Sequence, residues 1–291
     1  PRRILVATDF SPTAARALEL ARVLAERFGA ELHLLHVRVL LEDPHLAEEQ
    51  RVTMREVFAL GDAPSREALE SVSSGELEPR VVPHLVRAIS ASEAIVETAA
   101  SLGCDLVVMG THGRRGLKHL LLGSVAEQVV RNATVPVRTV RADATIPTPL
   151  RRILVPHDYS EHSGRALDLA AAWARHLGAT IALLHAVEPV VYPDFYAVDV
   201  LPGELTDRLR TRSTEALEAV VRDGLEGLDA STRVTVARAG DAVVATAGDG
   251  ECDLVVMGTR GLSAFEHLLL GSVAEGVVRR SPIPVLTVRG E

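Results

Sequence analysis

The first half of this chain returns in its second half, and no other feature narrows the possible folds as far. Arg3-Ile4-Leu5-Val6-Ala7-Thr8-Asp9-Phe10-Ser11 comes back as Arg152-Ile153-Leu154-Val155-Pro156-His157-Asp158-Tyr159-Ser160. Cys104-Asp105-Leu106-Val107-Val108-Met109-Gly110-Thr111 is repeated letter for letter from Cys252 to Thr259, and His119–Glu127 is repeated from His267 to Glu275. Between these blocks the likeness fades, most of all over 40–79 and 188–230. The polar stretch from Arg141 to Leu150, with Pro147 and Pro149, reads as the join. A duplication of this size in 291 residues predicts two domains, 1–143 and 150–291.

Each copy reads β-α-β-α-β-α-β-α-β. Ile4–Thr8 is a short apolar strand. Ser11 then offers an N-cap, Pro12 takes the first helical position, and Ala14, Ala17, Leu18, Ala21 and Leu24 follow at helical spacing until Gly29. Further strands are expected at Glu31–Val37, Arg80–Val86, Leu106–Met109 and Val135–Val140. Between them lie a charged helical stretch to about residue 74, a helix near 91–102 and one starting near Gly123. The second copy places its strands at 152–156, 180–186, 232–237, 253–257 and 284–288. Its third helix, from Asp241, reads as short and interrupted by Gly248 and Gly250. Strands alternating with helices imply α/β domains, each a doubly wound parallel sheet with right-handed crossovers.

Composition agrees. Hydrophobic residues are 47% of the chain but aromatics only 3%, so Val, Leu, Ile and Ala must fill the cores, as in parallel sheets covered on both faces. A net charge of −8 argues against nucleic acid or an anionic membrane as a main partner. Cys104 and Cys252 stand at matching places in two copies and read as small buried hydrophobes, not as a bridge. No charged-then-apolar leader and no apolar run of the ~20 residues a membrane span needs is visible, so the expectation is a cytoplasmic protein.

Ligands of doubly wound sheets bind beyond the carboxyl ends of the strands, where strand order reverses. Five strands allow the order 2-1-3-4-5 or 3-2-1-4-5, and in the second the ends of strands one and four are neighbours. Asp9 and Gly110 stand at those ends, and both are repeated. The sharper feature is Gly110-x2-Gly113-x9-Gly123-Ser124, which recurs as Gly258-x2-Gly261-x9-Gly271-Ser272. Glycines after a strand let backbone turn tightly and approach a phosphate with no Cβ in the way. A helix opening at Gly123-Ser124 would aim unpaired N–H groups at the anion, and the serine hydroxyl can donate to a phosphate oxygen or help hold Mg²⁺. A glycine ending a strand and a serine capping a helix are ordinary. The same spacing twice, each time beside an Asp closing strand one, is not.

These residues resemble the universal stress protein family. The resemblance is carried by that glycine spacing, by Thr8-Asp9-Phe10-Ser11, by Leu34-Leu35-His36-Val37 and by Gly123-Ser124-Val125-Ala126-Glu127, and it covers nearly the whole chain as two tandem domains. It implies the adenine nucleotide α-hydrolase-like fold with strand order 3-2-1-4-5, and the glycines imply the ATP-binding branch. Ala7, Thr8 and Asp9 would line the adenosine, with Asp9 near the ribose or a metal-bound water. The backbone of Val37 would read the adenine edge, and Met109, Gly110, Gly113, Gly123, Ser124 and Val125 would hold ribose and phosphates. The matching positions are Pro156, His157, Asp158, Ala186, Met257, Gly258, Gly261, Gly271, Ser272 and Val273. His157 stands in place of Thr8, Ala186 of Val37 and Arg260 of His112, so unequal affinities are expected. The resemblance further implies pairing of the fifth strands within one chain as a pseudo-dimer, with a homodimer of chains as an extension.

Other nucleotide folds fit poorly. A dinucleotide-binding domain needs G-x-G-x-x-G after strand one, where Asp9-Phe10-Ser11-Pro12 stands. A P-loop needs G-x4-G-K-[ST], which does not occur, and Lys118 reads as a solvated loop residue. His33 and His36 fall on opposite faces of one strand, so one metal cannot use both, and His119 and His267 read as packing residues. No catalytic set assembles from repeated residues. Three functions stay open: an ATP-binding stress-response regulator with two sites and a nucleotide-dependent change of conformation or assembly; a slow Mg²⁺-dependent ATP hydrolase or nucleotidyl-transfer enzyme using Asp9 or Asp158; and a structural dimerising module that binds no nucleotide.

Overall fold

The computed structural model describes residues 1–39, 62–73, 79–113, 122–188, 202–261 and 270–289. The chain forms two compact units that divide between Ala142 and Asp143. In the first, β1 (Arg3–Thr8), α1 (Pro12–Phe28), β2 (Glu31–Val39), α2 (Ala63–Ser73), β3 (Val81–Ala88), α3 (Ala91–Ser101), β4 (Leu106–Gly110), α4 (Ser124–Asn132) and β5 (Val137–Val140) follow in order. In the second, β6 (Arg152–Pro156), α5 (Glu161–Leu177), β7 (Thr180–Val187), α6 (Pro202–Gly224), β8 (Ala230–Val236), α7 (Ala239–Gly248), β9 (Leu254–Gly258), α8 (Ser272–Arg280) and β10 (Val285–Val288) do the same. The expected lengths of the charged stretches before α2 and α6 lie in part outside the described residues, as do Lys118, His119 and His267.

The strands of the first unit run β3-β2-β1-β4-β5 and those of the second β8-β7-β6-β9-β10, so both take the 3-2-1-4-5 order. Every pairing within each unit is parallel: Val6 lies opposite Leu34 on one side and Val108 on the other, and Leu154 opposite Ala182 and Val255. Strand one of each unit is therefore central and buried on both faces, with Ile4, Leu5 and Val6 at 0% exposure and Ile153, Leu154 and Val155 at 1% or less. That is why these segments read as unbroken apolar runs and do not alternate. Pro83 lies in β3, an edge strand, the place in a sheet where proline is tolerated.

Local signals set the boundaries. Ser11 Oγ accepts from Ala14 N at 3.2 Å to start α1, and Gly29 at φ 63° ends it with its N–H on the Ala25 carbonyl. Ser160 and Gly178 do the same for α5. Helix α7 starts two residues before Asp241 and runs unbroken to Gly248; Gly250, at φ 75°, lies past its end. The expected interruption is thus a termination. Cys104 and Cys252 are both free and buried, and burial first of all pushes each thiol up to about 11. No helix among the described residues is long and apolar enough to cross a membrane.

Candidate functional site

The carboxyl end of strand one makes the same sharp turn in both units. Phe10 and Tyr159 adopt the left-handed backbone conformation, φ 61° and 64°, which costs a bulky residue on the order of 1 kcal/mol or more. Side-chain acceptors hold the turn: Phe10 N donates to Thr8 Oγ1 at 3.0 Å and Ser11 N to Asp9 Oδ1 at 3.0 Å. In the second unit Tyr159 N donates to His157 Nδ1 at 3.2 Å and Ser160 N to Asp158 Oδ1 at 3.1 Å. The ring that follows packs on the histidine of strand two, Phe10 on His36 and Tyr159 on His185. Each histidine Nδ1–H donates to the carbonyl of strand one, His36 to Thr8 and His185 to His157, both at 2.8 Å. The repeated histidine therefore fastens the turn, a role its spacing along the strand did not reveal.

This turn leaves one Asp oxygen for the loop after strand four. A Cβ added to Gly113 would lie 2.5 Å from Asp9 Oδ2, and one added to Gly261 would fall on Asp158 Oδ2. Neither glycine, nor Gly110 or Gly123, has a positive φ. The glycines are thus required by space, not by turn geometry, and the space belongs first to the protein: at Gly110 a Cβ would meet the Thr13 side chain at 2.6 Å. The sequence expectation of bare backbone beside phosphate is narrowed to Gly113 and Gly261, where what a side chain would displace is the carboxylate.

The helix after the loop starts without the serine cap that opens the first helix of each unit. Helices α1, α3 and α5 each begin on a serine whose hydroxyl accepts a backbone N–H. Helices α4 and α8 begin on Gly123 and Gly271, with no side-chain cap among the described residues. Gly123 N donates to the Thr111 carbonyl at 2.9 Å and Gly271 N to the Thr259 carbonyl at 2.8 Å, pinning each helix start against strand four. The N–H groups of the first turn and the positive end of the helix dipole then open onto a cavity. That arrangement suits an anion.

The first cavity, about 520 Å³, is lined by all ten positions singled out in the first half: Ala7, Thr8, Asp9, Val37, Met109, Gly110, Gly113, Gly123, Ser124 and Val125. The second, about 530 Å³, is lined by Pro156, His157, Asp158, Ala186, Met257, Gly258, Gly261, Gly271, Ser272 and Val273. These volumes are of the size that holds a small-molecule ligand. The third helix was missed: Ala91 and Ile95 of α3, and Ala239 and Val243 of α7, close one wall. No signal marked them, because identity between the copies is low there. Thr111 and Thr259 also line the cavities and were legible, since both stand in the block repeated letter for letter. Val39 in the first cavity is matched by Glu188 in the second, whose Oε1 accepts from Ala239 N at 3.4 Å.

His157 is only 7% exposed, and burial holds its pKa below the ordinary histidine value; His185 lowers it further and Asp158 opposes. The neutral ring is also what the turn needs, since Nδ1 accepts from Tyr159 N. The unfolded chain then takes up a proton near pH ~6.5 that the folded chain refuses until a lower pH, so stability falls as pH drops through that window. His157→Thr, which installs the acceptor found at Thr8, is expected to flatten the loss between about pH 6.5 and 5. Urea midpoints that fall equally steeply in both proteins would contradict this role.

Comparison with known proteins places the chain. The sequence profile of the universal stress protein family matches residues 1–141 and again 149–289. A Thermus aquaticus universal stress protein encoded in the QAH/OAS sulfhydrylase 3′ region is 37% identical over 139 residues, 48% of this chain and 98% of its own. The Mycobacterium tuberculosis universal stress protein Rv2005c is 32% identical over 193 residues, 64% of this chain and 62% of its own length. The crystal structure of a universal stress protein from Archaeoglobus fulgidus has the same fold across 99% of this chain and 98% of its own, with TM-score 0.64 at 22% identity. With both halves matched separately and the same strand order in each unit, the chain belongs to the universal stress protein family.

Proposed function

We propose that this protein is an ATP-binding stress-response regulator with two nucleotide sites, one per unit, whose occupancy changes conformation or assembly. One observation carries the reading. Twice in the chain, a glycine packed on a strand-one carboxylate and a helix start without a side-chain cap meet at one cavity beyond the sheet. Helix N–H groups and dipole would hold the phosphates, Asp9 and Asp158 would face the ribose or a hydrated Mg²⁺, and the apolar wall from strand two and the third helix would take the base. The residues present fit the nucleotide: each cavity offers donors at one end and aliphatic surface at the other.

Purified protein, denatured and analysed for released nucleotide, is expected to yield adenine nucleotide approaching two per chain after incubation with ATP. No retained nucleotide, with no heat on titration with ATP, would remove the reading and leave a structural module. The same sample separates regulator from hydrolase. Labelled ATP is expected to be recovered intact after minutes at single turnover; stoichiometric phosphate release, lost in the Asp9→Ala, Asp158→Ala chain, would assign it to hydrolysis instead.

A further inference from the structure

The two cavities end their phosphate-side loops differently. In the first, Thr111 Oγ1 and His112 Nδ1 are hydrogen-bonded at 2.9 Å, and the one buried polar atom of this pair without a partner among the described residues is the imidazole Nε2. In the second the threonine is kept but the next residue is Arg260. Thr259 is 1% exposed and its Oγ1 has no partner among the described residues; the same is true of the buried Nε of Arg260. Both residues line the cavity, immediately before Gly261. Native proteins rarely leave adjacent buried polar groups unsatisfied, because each has given up water for nothing in return.

Position says what would satisfy them. A Cβ on Gly271, the residue before α8, would lie 3.7 Å from Arg260 Cα, so the backbone of Arg260 packs beside the helix start and Arg260 lines the cavity onto which that helix opens. The carboxylate of Glu188, which the second cavity alone possesses, sits at the start of α7 and accepts from Ala239 N. Asp158 is engaged by Ser160 N and Ser160 Oγ. Arg260 thus lines the cavity from backbone beside the α8 start, and the added carboxylate of Glu188 lies at the α7 end. A ligand with an anionic tail and a polar head matches that arrangement, and a guanidinium makes stronger, fork-shaped charge-assisted bonds to phosphate oxygens than an imidazole.

We propose that Arg260, with Thr259 beside it, is a specificity-determining residue that makes the second cavity select for phosphate number, preferring ATP over AMP by a wider margin than the first cavity does. This rests on reading both cavities as adenine-nucleotide sites. Photolabelling of the full chain with 8-azido-ATP and 8-azido-AMP, followed by peptide mapping, reads the cavities separately. The ATP-to-AMP preference is expected to be about tenfold larger in the second cavity, the scale of one charge-assisted contact. Arg260→His is expected to erase that excess by weakening ATP labelling about tenfold while AMP labelling there changes less than about twofold, with the first cavity unaltered. His112→Arg should raise the preference in the first cavity. Equal losses for both nucleotides in Arg260→His, or no loss, overturn the proposal while leaving the nucleotide sites standing. If neither nucleotide labels either cavity of the unmodified chain, the function proposed above falls and this selectivity with it.

Discussion

Replacing Gly113 and Gly261 by valine in one chain is expected to lower ATP affinity at least a hundredfold, about 3 kcal/mol or more per site, with the fold kept. The first atom of the new side chain would already lie 2.5 Å from Asp9 Oδ2 and would displace the corresponding oxygen of Asp158. The carboxylate cannot yield freely, because its other oxygen holds Ser11 N or Ser160 N in the turn that starts the first helix of the unit. The loop must therefore move, taking with it the backbone that leads to the start of α4 or α8. Calorimetric titration checks the binding, and circular dichroism with a thermal scan checks the fold. A second variant isolates the cause. Gly113→Ala should destabilise the unit by about 1–3 kcal/mol, in the range for overpacking, and Asp9→Ala in the same chain should restore part of that loss because it removes the obstructing atoms. Binding should not recover. An alanine at 113 that costs neither stability nor affinity would show that the glycine answers to something other than this carboxylate.

Leu5→Ala is expected to cost about 2–5 kcal/mol of stability, the range for emptying a fully buried leucine site. Leu5 is 0% exposed on the central strand, opposite His33 of β2 and Val107 of β4. Successive side chains alternate along a strand, so Leu5 and Ala7 share a face; the void would open beneath a cavity-lining position. Leu154→Ala, at 1% exposure and on the same strand face as Pro156, should behave alike in the second unit. Urea unfolding followed by circular dichroism measures both. A loss below about 1 kcal/mol at either position would mean that the site can collapse around the smaller side chain, against the close packing expected of a strand covered on both faces.

Some of this is legible in the amino-acid sequence alone. The duplication, the alternation of strand and helix, the serine and glycine that bound α1, and the apolar runs of central strands are local or periodic, and local chemistry alone decides them. The grouping of the glycine motif with Asp9 was also legible, because a parallel sheet delivers the ends of its strands to one edge. Helix α7 starts two residues earlier than its sequence suggests, with Ala242, Val243 and Ala247 buried, and Gly248 and Gly250 stand at its end instead of interrupting it.

What the linear order of residues determined was which groups exist twice and which strand ends they occupy. The three-dimensional packing decided what those groups do to one another. Only there does Gly113 prove to be spaced by Asp9, His36 to fasten the turn at Thr8, and α3 to close the cavity wall. Each of these is a contact between segments far apart in the chain, set by side-chain volume and hydrogen-bond supply at the meeting point, and no period or spacing along one segment encodes it.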